Sequence, residues 1–124
     1  MQNTTFNRTV ALTGTIANLL NPPELDGTTG VGITLANTFL MVKSIKVVNT
    51  TAGPLPVSLF KGATAAEAAG TELGASAKPV PANDSIDINF PPTGERFDVG
   101  DFLTGKSTGT GLTVNIIGEI GVCP

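Results

Sequence analysis

The sequence predicts an all-β chain, an antiparallel β-sandwich or jelly roll of six to eight strands with one short helical turn. Three observations carry that prediction. Apolar and polar residues alternate with a period of two along several short runs, Gly, Pro, Asn and Asp separate those runs, and a single stretch has helix-forming composition. At 124 residues the chain is expected to form one domain, with residues 1–8 as an N-terminal arm and residues 9–124 as the sandwich.

The first run sets Val10, Leu12 and Ile16 against Thr13 and Thr15. NPPELDGTTG (21–30) is a long loop, and VGITL (31–35) reads as a short strand. FLMVKSIKVVN (39–49) is rich in β-branched residues, with Lys46 separating Ile45 from Val47. NTTAGP (49–54) is turn chemistry, and PVSLF (56–60) is the strand it leads into. ATAAEAA (63–69) supplies the helical turn, closed by Gly70. Ile86, Ile88 and Phe90 alternate with Asp87 and Asn89, and PPTGE (91–95) forms the next turn. RFDV then reads as a strand, followed by a tight turn at Gly100, a short apolar piece at Phe102 and Leu103, and a hairpin loop over 104–111. Along 111–122, Leu112, Val114, Ile116, Ile120 and Val122 share one parity, and Thr113, Asn115 and Glu119 the other.

Composition narrows the function. The formal net charge is -3, with 14% of residues charged, and the basic residues Arg8, Lys43, Lys46, Lys61, Lys78, Arg96 and Lys106 are scattered. A nucleic-acid partner would require them clustered, so none is expected. The chain has no His, Trp or Tyr, which removes the commonest general base. Cys123 is the lone cysteine, so no internal disulfide forms. Residues 1–20 lack the charged-then-apolar pattern of a secretory signal, and no run approaches the about 18 apolar residues of a membrane span. The expectation is a chain made in the cytoplasm, without a membrane partner. The sequons at Asn3, Asn7, Asn49 and Asn83 are therefore expected to stay unmodified.

GDFLTGKS (100–107) matches the phosphate-loop pattern through Gly100, Gly105, Lys106 and Ser107. That motif works only where a helix follows and offers its first-turn N–H groups to the phosphates. Here TGTGLTVNII follows, with Gly109 and Gly111 breaking any helix, so the match is read as chance. Asp84, Asp87, Glu95, Asp98 and Asp101 crowd one region and raise the alternative of a Ca²⁺ site, but the D-x-[DN]-x-[DN]-G loop is missing. No G-x-S-x-G elbow occurs and there is no His to activate a serine. The chain is accordingly expected to be no enzyme and to carry no catalytic residue, cofactor or metal. Contact with partners is expected through Phe6 in the arm and through Pro22, Pro23 and Leu25 in the long loop.

Three further stretches carry a resemblance. They are IKVVNTTAGPLPVSLFKGATAAEAAGTEL (45–73), VPANDSIDINF (80–90) and RFDVGDFLTGKSTGTGLTVNIIGEIGV (96–122). Together they resemble tailed-bacteriophage virion structural proteins of the small β-rich decoration or cement type, over Lys43 to Val122, roughly two-thirds of the chain. The resemblance implies a non-enzymatic protein of the virion, made in the bacterial host cytoplasm. It would decorate or cement the capsid as a homo-oligomer, with the major capsid protein and copies of itself as partners. The alternatives are a phage tail, neck or fibre accessory protein and a small carbohydrate-binding or adhesive β module.

Overall fold

The computed structural model describes residues 4–20, 38–64, 71–90, 94–98 and 101–122. These form nine strands and no helix. One sheet contains β1 (Thr4–Ala11), β9 (Leu112–Val122), β3 (Thr38–Asn49), β6 (Ser85–Asn89) and β7 (Glu95–Asp98). The other contains β2 (Ala17–Leu20), β8 (Phe102–Lys106), β4 (Leu55–Gly62) and β5 (Lys78–Val80). Every pairing is antiparallel.

The order along the first sheet is β1-β9-β3-β6, with β7 also on β3, and along the second β2-β8-β4-β5. β6 pairs with Ser44–Val48 of β3 and β7 with Phe39–Val42, so the two act as one edge strand interrupted at 90–94. The pairings are nested: β4 with β5 innermost, β3 with β6 and β7 outside them, then β2 with β8, then β1 with β9. A long hairpin rolled over on itself has this order, and it is the jelly-roll order rather than an immunoglobulin-like one. The interruption also explains why nine strands occur where six to eight are expected. Residues 65–70, most of the expected helical turn, and the expected strand 31–35 lie outside the described residues.

Side-chain parity builds the core. On β9, Leu112, Val114, Ile116 and Ile120 are buried, while Ile117 points out and is exposed. On β3, Leu40 and Val42 face inward up to a bulge, where the register shifts between Val42 and Ser44. Beyond it Ile45, Val47 and Asn49 face inward. One extra residue, the exposed Lys43, thus changes which parity is buried. Val57 and Leu59 of β4, Leu19 of β2, Leu103 of β8 and Phe97 of β7 complete the interior between the sheets. Each such side chain contributes about 1.5–3 kcal/mol on burial.

Lys61 links the two sheets near β7. Its Nζ donates to Glu95 Oε2 at 2.8 Å and to the Arg96 carbonyl at 2.7 Å, and sits 4.9 Å from the Phe97 ring centre. Residues 4–8, expected as arm, run without a break into 9–11 as β1, so a boundary after residue 8 falls inside a strand. The ladder with β9 continues from Ala11↔Thr113 back to Thr4↔Ile120 and satisfies that backbone.

Candidate functional site

The region expected as a loop over 104–111 is divided differently in the structure. Thr104, Gly105 and Lys106 belong to β8, an interior strand between β2 and β4, and the connection to β9 covers only 107–111. Small residues suit this strand because its neighbours crowd it: a Cβ on Gly105 would lie 2.9 Å from Leu19 Cδ1 and 3.0 Å from Leu59 Cδ2. Of the phosphate-loop letters, Gly100 lies outside the described residues, Gly105 and Lys106 are paired in register with Ala17, Leu59 and Ser58, and Ser107 is buried with its N–H on Thr13 O. A backbone laddered on both sides has no row of N–H groups to wrap around a phosphate. Saturating Mg²⁺-nucleotide should leave the melting temperature of wild type and of Lys106→Ala unchanged in differential scanning fluorimetry, whereas a bound ligand would raise it.

Apart from Asp98 and Asp101, which contact each other, the acidic residues have separate partners. Asp87 lies 3.9 Å from Lys46, Glu95 is held by Lys61, and Asp98 accepts from Arg96 Nε at 2.8 Å. Asp101 Oδ2 accepts from Asp98 N, and Asp101 N donates to Asp98 O. Asp84 Oδ1 accepts from Ser85 N. Among the described residues no three His, Cys, Asp or Glu side chains come together as a metal site.

A shallow, open depression of about 480 Å³ is lined by Lys46, Val48, Asn49, Thr50, Asn83, Asp84 and Ser85. Its floor is a structural hub. Asn49, 1% exposed, donates from Nδ2 to Gly53 O at 2.9 Å and Val80 O at 3.0 Å, and its Oδ1 accepts from Thr51 N at 2.8 Å and Thr51 Oγ1 at 2.7 Å. Backbone bonds from Asn49 to Asp84, from Asn83 to Thr51 and from Thr50 to Gly111 tie three connections to this point. The side chain thus uses both donors and accepts twice, so it organises the loops and has nothing left for a ligand or a glycan. The sequence marks 49–54 as a turn, but not the burial of Asn49. The Asn-x-Thr spacing that resembles a sequon is the signal: both side chains serve one loop.

Of the expected contact residues, Phe6 stands in β1 opposite Gly118 in the ladder. Pro22, Pro23 and Leu25 lie outside the described residues. The outer face of the larger sheet carries the Lys46–Asp87 and Arg96–Asp98 pairs, the Arg96 guanidinium 4.2 Å from the Phe39 ring centre, and exposed Ile117. The buried polar residues of the described core are Asn49, Thr104 and Ser107.

No protein-family model matches the chain, and no curated protein sequence matches it at a significant level. Solved structures match its fold. A structure of Bacillus endospore appendages, disulfide-linked pili, superposes with a TM-score of 0.52 at 11% identity, covering 99% of this chain and 88% of that one. The virus-like particle of the extra small virus of the giant freshwater prawn Macrobrachium rosenbergii superposes with a TM-score of 0.51 at 11% identity, covering 100% and 82%. The Tobacco streak virus coat protein gives 0.48 at 12% identity, covering 98% and 88%. At 11% identity the first two show a likeness of fold alone.

Proposed function

We propose that this chain is a non-enzymatic structural protein of a tailed-phage particle, made in the host cytoplasm, that decorates or cements the capsid by contacts with the major capsid protein and with copies of itself. The nested jelly-roll strand order carries the reading, because a virus-like-particle protein of similar length has the same fold. The resemblance over Lys43–Val122 points the same way. So does the chemistry: with no His, and with Asp87, Glu95 and Asp98 each beside a basic group, the chain is suited to binding by shape and edge rather than by reaction.

The likeness to disulfide-linked pili favours a second reading, a tail, neck or fibre accessory protein. No metal site supports the adhesive module, since among the described residues no three His, Cys, Asp or Glu side chains come together. A density map of intact particles at side-chain resolution, with mass spectrometry of the same preparation, separates the readings. Capsid decoration requires on the order of hundreds of copies on the shell, whereas a tail or neck ring requires about 6 or 12. Particles without the chain would refute both.

A further inference from the structure

The described part of the fold has four sheet edges, and three are blunted against pairing. β5 is three residues long and contains Lys78 and Pro79. β2 is four residues long, with a register shift between Asn18 and Leu20. The β6–β7 edge consists of two separate short strands and carries exposed Asp87, Asn89, Arg96 and Asp98. Short length, Pro, irregularity and charge are the means by which β proteins stop their edges from pairing. β1 has none of them. It runs for eight residues in unbroken register with β9, without Pro and with Arg8 as its single charge.

The hydrogen bonding fixes which groups β1 offers. Leu12 N donates to Leu112 O at 2.9 Å, in phase with the pairs Val10↔Val114 and Arg8↔Ile116. In an antiparallel ladder successive residues turn their N–H and C=O to opposite sides. The even-numbered residues of β1 therefore bond to β9, and Thr5, Asn7, Thr9 and Ala11 turn theirs to the open edge. The same four residues are exposed. Their first three side chains, Thr-Asn-Thr, read identically in both directions.

We propose that β1 is where a second copy of this chain adds its own β1, antiparallel, joining the two larger sheets across a two-fold axis. A two-fold contact requires an edge that complements itself, and the Thr5-Asn7-Thr9 row does so about Asn7. Matching the inward and outward faces allows only even shifts of register. Centring on Asn7 sets Thr5 opposite the partner's Thr9 and Arg8 opposite the partner's Phe6. Centring on Arg8 would set two like charges face to face. The first register avoids that repulsion and gains Thr–Thr cross-strand pairs. This pairing concerns the chain in solution and does not depend on the virion reading.

Sedimentation of purified protein tests it with two matched double variants. Thr5→Lys with Thr9→Lys places Lys opposite Lys at both ends of the interface, whereas Thr5→Lys with Thr9→Glu places Glu opposite Lys, and in both variants residue 5 faces Glu119 of its own chain as Lys. The wild type and the Glu/Lys variant should dimerise, and the Lys/Lys variant should bind itself at least about tenfold more weakly, with unchanged far-ultraviolet circular dichroism. In a Cys123→Ser background, Asn7→Cys should form a disulfide dimer under copper-phenanthroline oxidation. Ala11→Cys should not, because the two copies of residue 11 would be about 27 Å apart. A wild type that stays monomeric at about 100 µM, equal association of the two double variants, or equal cross-linking at 7 and 11 would overturn the proposal.

Discussion

Gly118→Ala is expected to destabilise the chain by about 3 kcal/mol or more and to lower its melting temperature by roughly 10 °C. Gly118 lies opposite the β3 bulge, where Val42 pairs with Gly118 and Ser44 with Ile117. A Cβ there would overlap the Met41 carbonyl oxygen and lie 3.1 Å from both the Met41 carbonyl carbon and Val42 Cα. All three atoms are backbone, so no side-chain rotation relieves the overlap. Relief would require β3 and β9 to separate at the point where β3 changes its inward parity. Gly109→Ala is the control, since a Cβ there meets nothing within 4 Å. That variant should be neutral or slightly stabilised, because Ala restricts the unfolded chain. Thermal melts of both variants check the account, which fails if Gly118→Ala melts within about 2 °C of the wild type.

Asn49→Leu is expected to cost about 3–5 kcal/mol, read from urea denaturation, because it strips partners from three backbone groups. Gly53 O and Val80 O lose the Nδ2 donor and Thr51 N loses the Oδ1 acceptor, all around a site that is 1% exposed. Leu fills a similar volume, so the loss measures hydrogen bonding rather than a cavity. Asn49→Asp separates the two halves of the amide. It keeps the acceptor for Thr51 but turns a carboxylate oxygen toward two carbonyls. Burial and those carbonyls raise the folded-state pKa of the new carboxyl above its unfolded value. The penalty is therefore small below the unfolded pKa, where a protonated oxygen donates to one carbonyl, and grows as pH rises toward and through the folded pKa. Asn49→Asp should thus gain stability relative to Asn49→Leu as pH falls from 7 to about 4. Parallel pH dependence of the two variants would contradict this.

Much of the fold is legible because one-face burial writes itself into a strand as alternation. Leu112, Val114, Ile116 and Ile120 announce β9, and Ile86 and Ile88 announce β6. Lys43 hides the parity change of β3, since a bulge residue looks like any other polar residue in a run. β2 and β5 are too short to show a period, at four and three residues. Thr104-Gly105-Lys106 resembles a loop by composition and is a central strand by pairing, because Leu19 and Leu59 fill the space that a side chain at 105 would need. The phosphate-loop letters fail through that same pairing.

Local information, then, determined the class of this protein: all-β and antiparallel, with small polar turns and no His. Periodicity and composition act within a few residues, so they survive in the linear text. The tertiary structure decided which strand lies beside which, that the rolled hairpin takes jelly-roll order, that Asn49 sits buried at the junction of three connections, and that β1 alone among the described edges is left unblunted. Those outcomes depend on contacts between residues as distant as Asn49 and Val80 or Thr4 and Ile120. No short stretch encodes such contacts, because the free energy that selects them is shared across both sheets.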